Sequence, residues 1–260
     1  MKTTRQTSVV IGIGELGGVF AKALLVMGHT VVPVLRDTPI EDVATRHPDP
    51  EVVVAAVGEG DLDDVLAALP ASWRTKVCLI QNELLPRSWE PYRLLDPTVA
   101  VVWFEKKAGR PVTPIIPTPI AGPAASLLVE GLRKIGVPAR EVSAAAQVTE
   151  MVRKNLYILV ANIAGLKVGG TVGELWAVHN ALARAVGDEI LAIQSWLVGT
   201  PLDSESLYAG MVEAFDADPD HGTTGRSAPV RLARAVAYAR QAGLETPTLD
   251  RLRETFGGNA

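Results

Sequence analysis

Three glycines spaced Gly12-x-Gly14-x-x-Gly17 follow directly on an apolar, β-branched run at residues 9–11, and an apolar helical pattern follows them at 19–27. A break at Gly28-His29 leads into a second strand pattern at 30–35. Strand, glycine turn, helix and strand within about 30 residues is the setting in which such glycines bind the pyrophosphate of a dinucleotide. Gly12 would permit the tight turn, Gly14 the approach of backbone to phosphate, and Gly17 the close packing of helix on strand. Glu15 and Leu16 open the helix, whose free N–H groups and partial positive charge suit an anion. The competing explanation is a purely structural glycine turn in an α/β protein.

The second strand ends in Arg36-Asp37. A carboxylate there accepts hydrogen bonds from a ribose 2′-OH and favours NAD, whereas an arginine pairs with the extra 2′-phosphate of NADP. Arg36 comes first, and Arg5 and Arg46 could add positive charge, so NADP is the expected cofactor. A solvated strand-end charge is the alternative for Arg36.

A second group of polar residues lies on a long, otherwise apolar pattern at 144–166. Lys154, Ile158 and Asn162 are spaced i, i+4, i+8 and share one helical face. Lysine and asparagine on such a helix need partners, because burying them unpaired is costly. A cleft between domains would supply them: an ammonium to protonate or polarise a carbonyl, an amide to hold a polar group. The alternative is a lysine that snorkels to solvent and an asparagine that caps a neighbouring backbone.

The elements that must position these residues are legible in outline. Apolar strand patterns at 52–57, 77–80 and 99–104 suit a parallel sheet covered on both faces. A short helix is expected at 62–69 with Asp61 as its N-cap, and the polar stretch 37–51 makes the domain look trimmed. The proline-rich segment 110–123 predicts an edge hairpin or an extended connection. A helix follows at 124–135, and beyond 143 only helical patterns remain, at 144–166, 173–198, 204–215 and 228–242. The expected fold is α/β: a doubly wound, Rossmann-type dinucleotide-binding domain over residues 1–143, then an all-α domain over 144–260.

A formal charge of −4 gives no electrostatic reason to expect nucleic acid. The lone Cys78 sits in an apolar run, reads as a core residue, and suits a reducing cytoplasm. Lys2 and Arg5 before an apolar run mimic a signal peptide, but Glu15 interrupts it. The longest uncharged stretch, 111–129, contains five prolines and does not read as a membrane helix. Four scattered histidines show no metal-ligand spacing. The tryptophans read as core or interface residues, with Trp103 at a strand end and able to face a cleft. The helix carrying Arg231 and Arg234 reads as an amphipathic surface helix, a candidate contact in a homodimer.

The chain resembles the ketopantoate reductases, the NADP-dependent 2-dehydropantoate 2-reductases, along nearly its whole length. The likeness runs through GIGELG, GHTVVPVLR ending at Arg36, LIQNELL, TPIAGP, VRKNLYILVANIAGLKVGGTVGEL and AGLETP, in that order. It implies a second domain of the 6-phosphogluconate dehydrogenase C-terminal kind and a small carbonyl substrate. It implies Arg36 as the 2′-phosphate ligand and Asn82 as the asparagine near nicotinamide and substrate. Lys154 would be the general acid, Asn162 a substrate-binding asparagine, and Glu174 a structural residue. Three departures accompany it. The family's asparagine four residues after the lysine is Ile158 here, a first-domain lysine is absent from Ala56-Val57-Gly58, and Ser227 or a neighbour stands where a pocket glutamate is expected. Asp216, Asp218, Asp220 and His221 are the candidates to replace that glutamate. Losing hydrogen-bonding groups from a polar pocket implies a different, more apolar substrate. A binding protein that senses NADP without turnover is the alternative outside enzymology.

Overall fold

The computed structural model describes residues 6–257; Lys2 and Arg5, weighed above, lie outside them. The chain divides into two compact units at Glu150/Met151, within one long helix.

The first unit is built on a seven-stranded sheet. Its strands are β1 (Thr7–Ile11), β2 (Thr30–Val34), β3 (Val53–Ala55), β4 (Val77–Leu79), β5 (Thr98–Ala100), β8 (Thr118–Ala121) and β9 (Ala139–Glu141). They stand in the order β2-β1-β3-β4-β5-β8-β9, and every neighbouring pair is parallel except β5–β8. Interior strands are apolar on both faces because helices cover both. The chain leaves β1 for β2 on one side and returns to β3 on the other. The switch of direction therefore falls beside β1, where open α/β sheets bind ligands. Helices α1 (Glu15–Val26) and α4 (Ala125–Lys134) pack closely on one another: a Cβ on Gly131 would come within 2.8 Å of the Ala23 carbonyl oxygen.

Several sequence expectations need correction here. The stretch 37–51 is not trimmed to a loop. It forms α2 (Ile40–Arg46), a helix of two turns that buries only Val43 and Ala44, too few for a periodic signal. Asp61 does precede α3 (Leu62–Ala68), but its side chain makes no capping hydrogen bond; its carboxylate faces Arg36 instead. The run 99–104 is divided between β5 and a separate hairpin, β6 (Phe104–Glu105) with β7 (Thr113–Pro114). The proline-rich segment thus supplies the expected hairpin, but it also supplies β8, an interior strand. Pro119 joins β8 through its carbonyl, which accepts from Val101 N–H; it returns no N–H to that pair, which lies just beyond the end of the β5–β8 ladder. Strand β9 carried no signal because Ala-Arg-Glu is short and polar.

The second unit is helical. It continues α5 (Ala144–Val168) and adds α6 (Val172–Val178), α7 (Asn180–Val198), α8 (Ser204–Ala217), α9 (Ala228–Ala242) and α10 (Pro247–Phe256). The expected helix at 173–198 is two helices, broken at His179. The C-terminal helix α10 was not expected. Its first turn is capped from α7, where both Glu189 carboxylate oxygens accept the Thr248 and Leu249 N–H groups at 2.8 Å. No helix among the described residues is long and apolar enough to cross a membrane.

Candidate active site residues

The glycine turn of the first unit has the geometry that its sequence requires. Gly12 has φ +86°, and a Cβ there would meet the Ala56 carbonyl oxygen at 2.7 Å. A Cβ on Gly17 would come within 1.9 Å of the Gly12 carbonyl oxygen, so α1 begins as close to the turn as backbone allows. Gly14 differs. It is the N-cap of α1, and a Cβ there would meet nothing within 4 Å. The turn is therefore walled behind by Gly12 and Gly17 and open at Gly14, where the first N–H groups of α1 are presented.

Two charges flank this opening. Glu15, the first residue of α1, is salt-bridged to Lys106 of the β6–β7 hairpin at 2.8 Å, and the Lys106 ammonium also donates to the Lys107 carbonyl. Lys106 was not singled out from sequence. It lies 91 residues from Glu15 with no shared motif, and only the sheet topology brings the two together. Arg36 follows β2, is 87% exposed, and sits 3.5 Å from the Asp61 carboxylate. Asp37 beside it is exposed.

Asn82 occupies a turn directly after β4, half-buried, and the next residue, Glu83, has a left-handed φ of +58°. Gln81 ties this turn to the end of β3: its amide donates to the carbonyls of Ala55 (2.7 Å) and Val57 (3.2 Å) and accepts from Ile80 N–H. The turn bearing Asn82 is thus fixed beside the strand that backs Gly12.

In the second unit Lys154 is buried, and its Nζ stands 5.1 Å from the centre of the Tyr157 ring. Asn155 points elsewhere and donates to Gln194 of α7 at 3.0 Å. Ile158 is buried on the lysine's face. Asn162 makes two contacts inside the unit: its amide donates to the Thr223 carbonyl at 3.0 Å, and its oxygen accepts from Arg231 at 2.6 Å. Arg231 is buried, not a solvated charge on a surface helix as its alanine-rich neighbourhood suggested. No sequence signal marks it, since its partner lies on another helix.

The polar loop before α9 is fastened to this face as a strap. Pro219 and His221 carbonyls accept the Gly173 and Val172 N–H groups, and Thr223 N–H donates to the Gly170 carbonyl. The Thr223 side chain is wholly buried against Gly165, where a Cβ would come within 2.6 Å of it. Its hydroxyl reaches the Gly169 and Gly170 carbonyls at 2.9 and 3.1 Å. Glu174 closes a capping box with Thr171 at the start of α6. Ser227 is the N-cap of α9 without a side-chain hydrogen bond. Of the candidates to replace a pocket glutamate, Asp218 pairs with His221 at 3.3 Å.

Cys78 is buried, and that burial pushes its thiol up to about 12. Trp103 is fully buried between β5 and β6. Among the described residues no cluster of His, Cys, Asp or Glu could hold a metal ion.

No protein-family model and no curated protein matches the chain. Solved structures do. A probable 2-dehydropantoate 2-reductase from Bacillus subtilis superposes over 96% of this chain and 98% of its own, with a TM-score of 0.73 at 14% identity. The fold is that of the ketopantoate reductases. A dimeric ketopantoate reductase from Staphylococcus aureus matches over 96% and 97% (TM-score 0.67, 18% identity). A D-mandelate dehydrogenase solved with NADH and anilino(oxo)acetate covers 96% of each chain, with a TM-score of 0.67 at 13% identity. Each likeness covers nearly the whole of both chains.

Proposed function

We propose that the protein is an NADPH-dependent reductase of a small 2-oxo acid, with Lys154 as proton donor. The observation that carries this reading is the buried ammonium of Lys154 on α5, in a chain that shares its fold with ketopantoate reductases and a D-mandelate dehydrogenase. Burying a lysine is costly, and ionisable groups placed that way are candidates for proton transfer.

The glycine turn fits a dinucleotide. Gly12 and Gly17 have no room for a side chain, while Gly14 leaves open space before the first N–H groups of α1, where the Glu15 and Leu16 amides would take the pyrophosphate. The exposed Arg36 guanidinium supports a 2′-phosphate and hence NADP. The cofactor, when bound, supplies a hydride to the substrate carbonyl carbon. The chain's own residues do the rest. Lys154 hydrogen-bonds the keto oxygen, opposes the charge that grows on it, and passes it a proton as it becomes an alcohol. Asn82, held by the Gln81 bridge, orients the reacting groups. Asn162, two turns along α5 from Lys154, is the proposed substrate-binding amide, its side chain braced by Thr223 and Arg231. The product is a 2-hydroxy acid.

Ile158 beside Lys154 supports a substrate more apolar on that side than ketopantoate. The test is NADPH oxidation by purified protein with ketopantoate and, separately, phenylglyoxylate, with Lys154→Ala as control. Turnover with either acid, reduced by about 10²- to 10⁴-fold in the variant, is the expected result. Undiminished turnover in Lys154→Ala overturns the role of Lys154. Bound NADPH with no turnover of either acid turns the assignment to another carbonyl or imine, or to a sensor. A homodimer and a cytoplasmic location accord with the lone buried cysteine and the dimeric relative, and belong to the same reading.

A further inference from the structure

Lys154 and Tyr157 stand three residues apart on α5, a spacing that makes side chains neighbours on a helix. Both are buried, and the ammonium lies 5.1 Å from the ring centre. The ring itself has little freedom. The Phe215 ring of α8 is tilted against it at 5.2 Å, and the His221 ring lies at 6.3 Å. Trp176 of α6 packs edge-on to Phe215 at 6.4 Å. His221 belongs to the strap, whose backbone is bonded to the start of α6. Helix α8 and the strap therefore pack on the one aromatic ring that α5 carries here, α6 backs that packing through Phe215, and the ring faces the only lysine buried in the described core.

A cation removed from water is stabilised by the negative face of an aromatic ring, an attraction that grows when both are desolvated. We infer that Tyr157 is the positioning residue for Lys154: its ring face, not its hydroxyl, holds the ammonium in the orientation from which the proton is delivered. The inference rests on Lys154 being the proton donor. It accounts for the apolar Ile158 at the next position of the same face. Electrostatic support comes to the lysine from the ring three residues on, where resemblance led one to expect an amide four residues on.

The experiment replaces Tyr157 by phenylalanine, by the mono-, di-, tri- and pentafluorinated phenylalanines, and by leucine. Fluorination drains the ring face of negative charge while nearly preserving its shape, so a purely structural ring is indifferent to it in a way a cation-holding ring is not. Two quantities are read on each variant. One is the guanidinium chloride midpoint in the native and Lys154→Met backgrounds. The other is kcat and KM for the 2-oxo acid that is turned over. We expect the midpoint to fall stepwise with fluorine content when Lys154 is present and to stay level when it is methionine. We expect kcat to fall in parallel, by about tenfold across the series, with KM changed less than threefold. Tyr157→Phe should restore kcat to within about threefold of the native value, and Tyr157→Leu should not. An equal slope of the midpoint in the Lys154→Met background overturns the contact, whether or not any substrate is found. A midpoint that follows fluorination while kcat ignores it overturns the positioning role. If Lys154→Ala turns over normally, the reading of Lys154 falls and this inference with it; if Lys154→Ala is inactive and the series is flat, only the inference falls.

Discussion

Glu15 puts a carboxylate at the mouth of the glycine turn that the proposed function gives to the cofactor's phosphates, and by itself it would compete for the same helix N-terminus. Lys106 cancels that charge across a 2.8 Å ion pair. Replacing Lys106 with methionine leaves the carboxylate uncompensated. We predict weaker binding of NADPH and NADH alike, by about 3- to 10-fold, in a fluorescence titration at low salt. Arg36→Ala should behave differently in the same titration. Its guanidinium is 87% exposed beside Asp61, so its loss should weaken NADPH by about tenfold and leave NADH nearly unchanged. Equal losses for the two cofactors would remove the argument for a 2′-phosphate ligand. Lys106 shows why part of the site was hidden. Gly12, Gly14 and Gly17 are fixed by local turn geometry and can be read in one stretch, whereas Lys106 and Arg231 acquire meaning only from partners on remote elements.

At the level of elements, the first strands of the sheet and the glycine turn follow from apolar runs and their spacing, and those were legible. What was not legible had little burial to advertise it or was held by tertiary bonds. Helix α2 buries two side chains, β9 is three residues long, and α10 takes its cap from Glu189 of α7. The strap between α8 and α9 is the clearest case, because a polar, glycine-bearing stretch carries no periodic pattern to show what it is bonded to. Its hold on α5 depends on Thr223 filling the space that Gly165 leaves. Gly165→Ala should cost about 1–3 kcal/mol of stability through overpacking, and Thr223→Val about 1–2 kcal/mol through the lost hydroxyl bonds, as measured by denaturant unfolding. A Gly165→Ala protein as stable as the native one would mean that the strap shifts freely.

For the molecule as a whole, Cys78 couples folding to alkaline pH. Burial raises its thiol from 9.0 to about 12, so between those values the unfolded chain loses the proton while the folded chain keeps it. Stability from this group is complete below about pH 9 and falls as pH rises, at a rate approaching about 1.4 kcal/mol per pH unit. Unfolding midpoints measured from pH 8 to 11 should therefore decline less steeply in Cys78→Ala than in the native protein; identical slopes would contradict it. The sheet that encloses Cys78 ends on one side in β2, which carries Pro33, and on the other in β9, three residues long and bearing Arg140 and Glu141. A proline interrupts any row of donors, and charges on a short strand resist a partner's apolar face. Neither border is a template for another chain's strand. Self-association by sheet extension, the route to fibrous aggregates, is thus closed at both ends of this sheet.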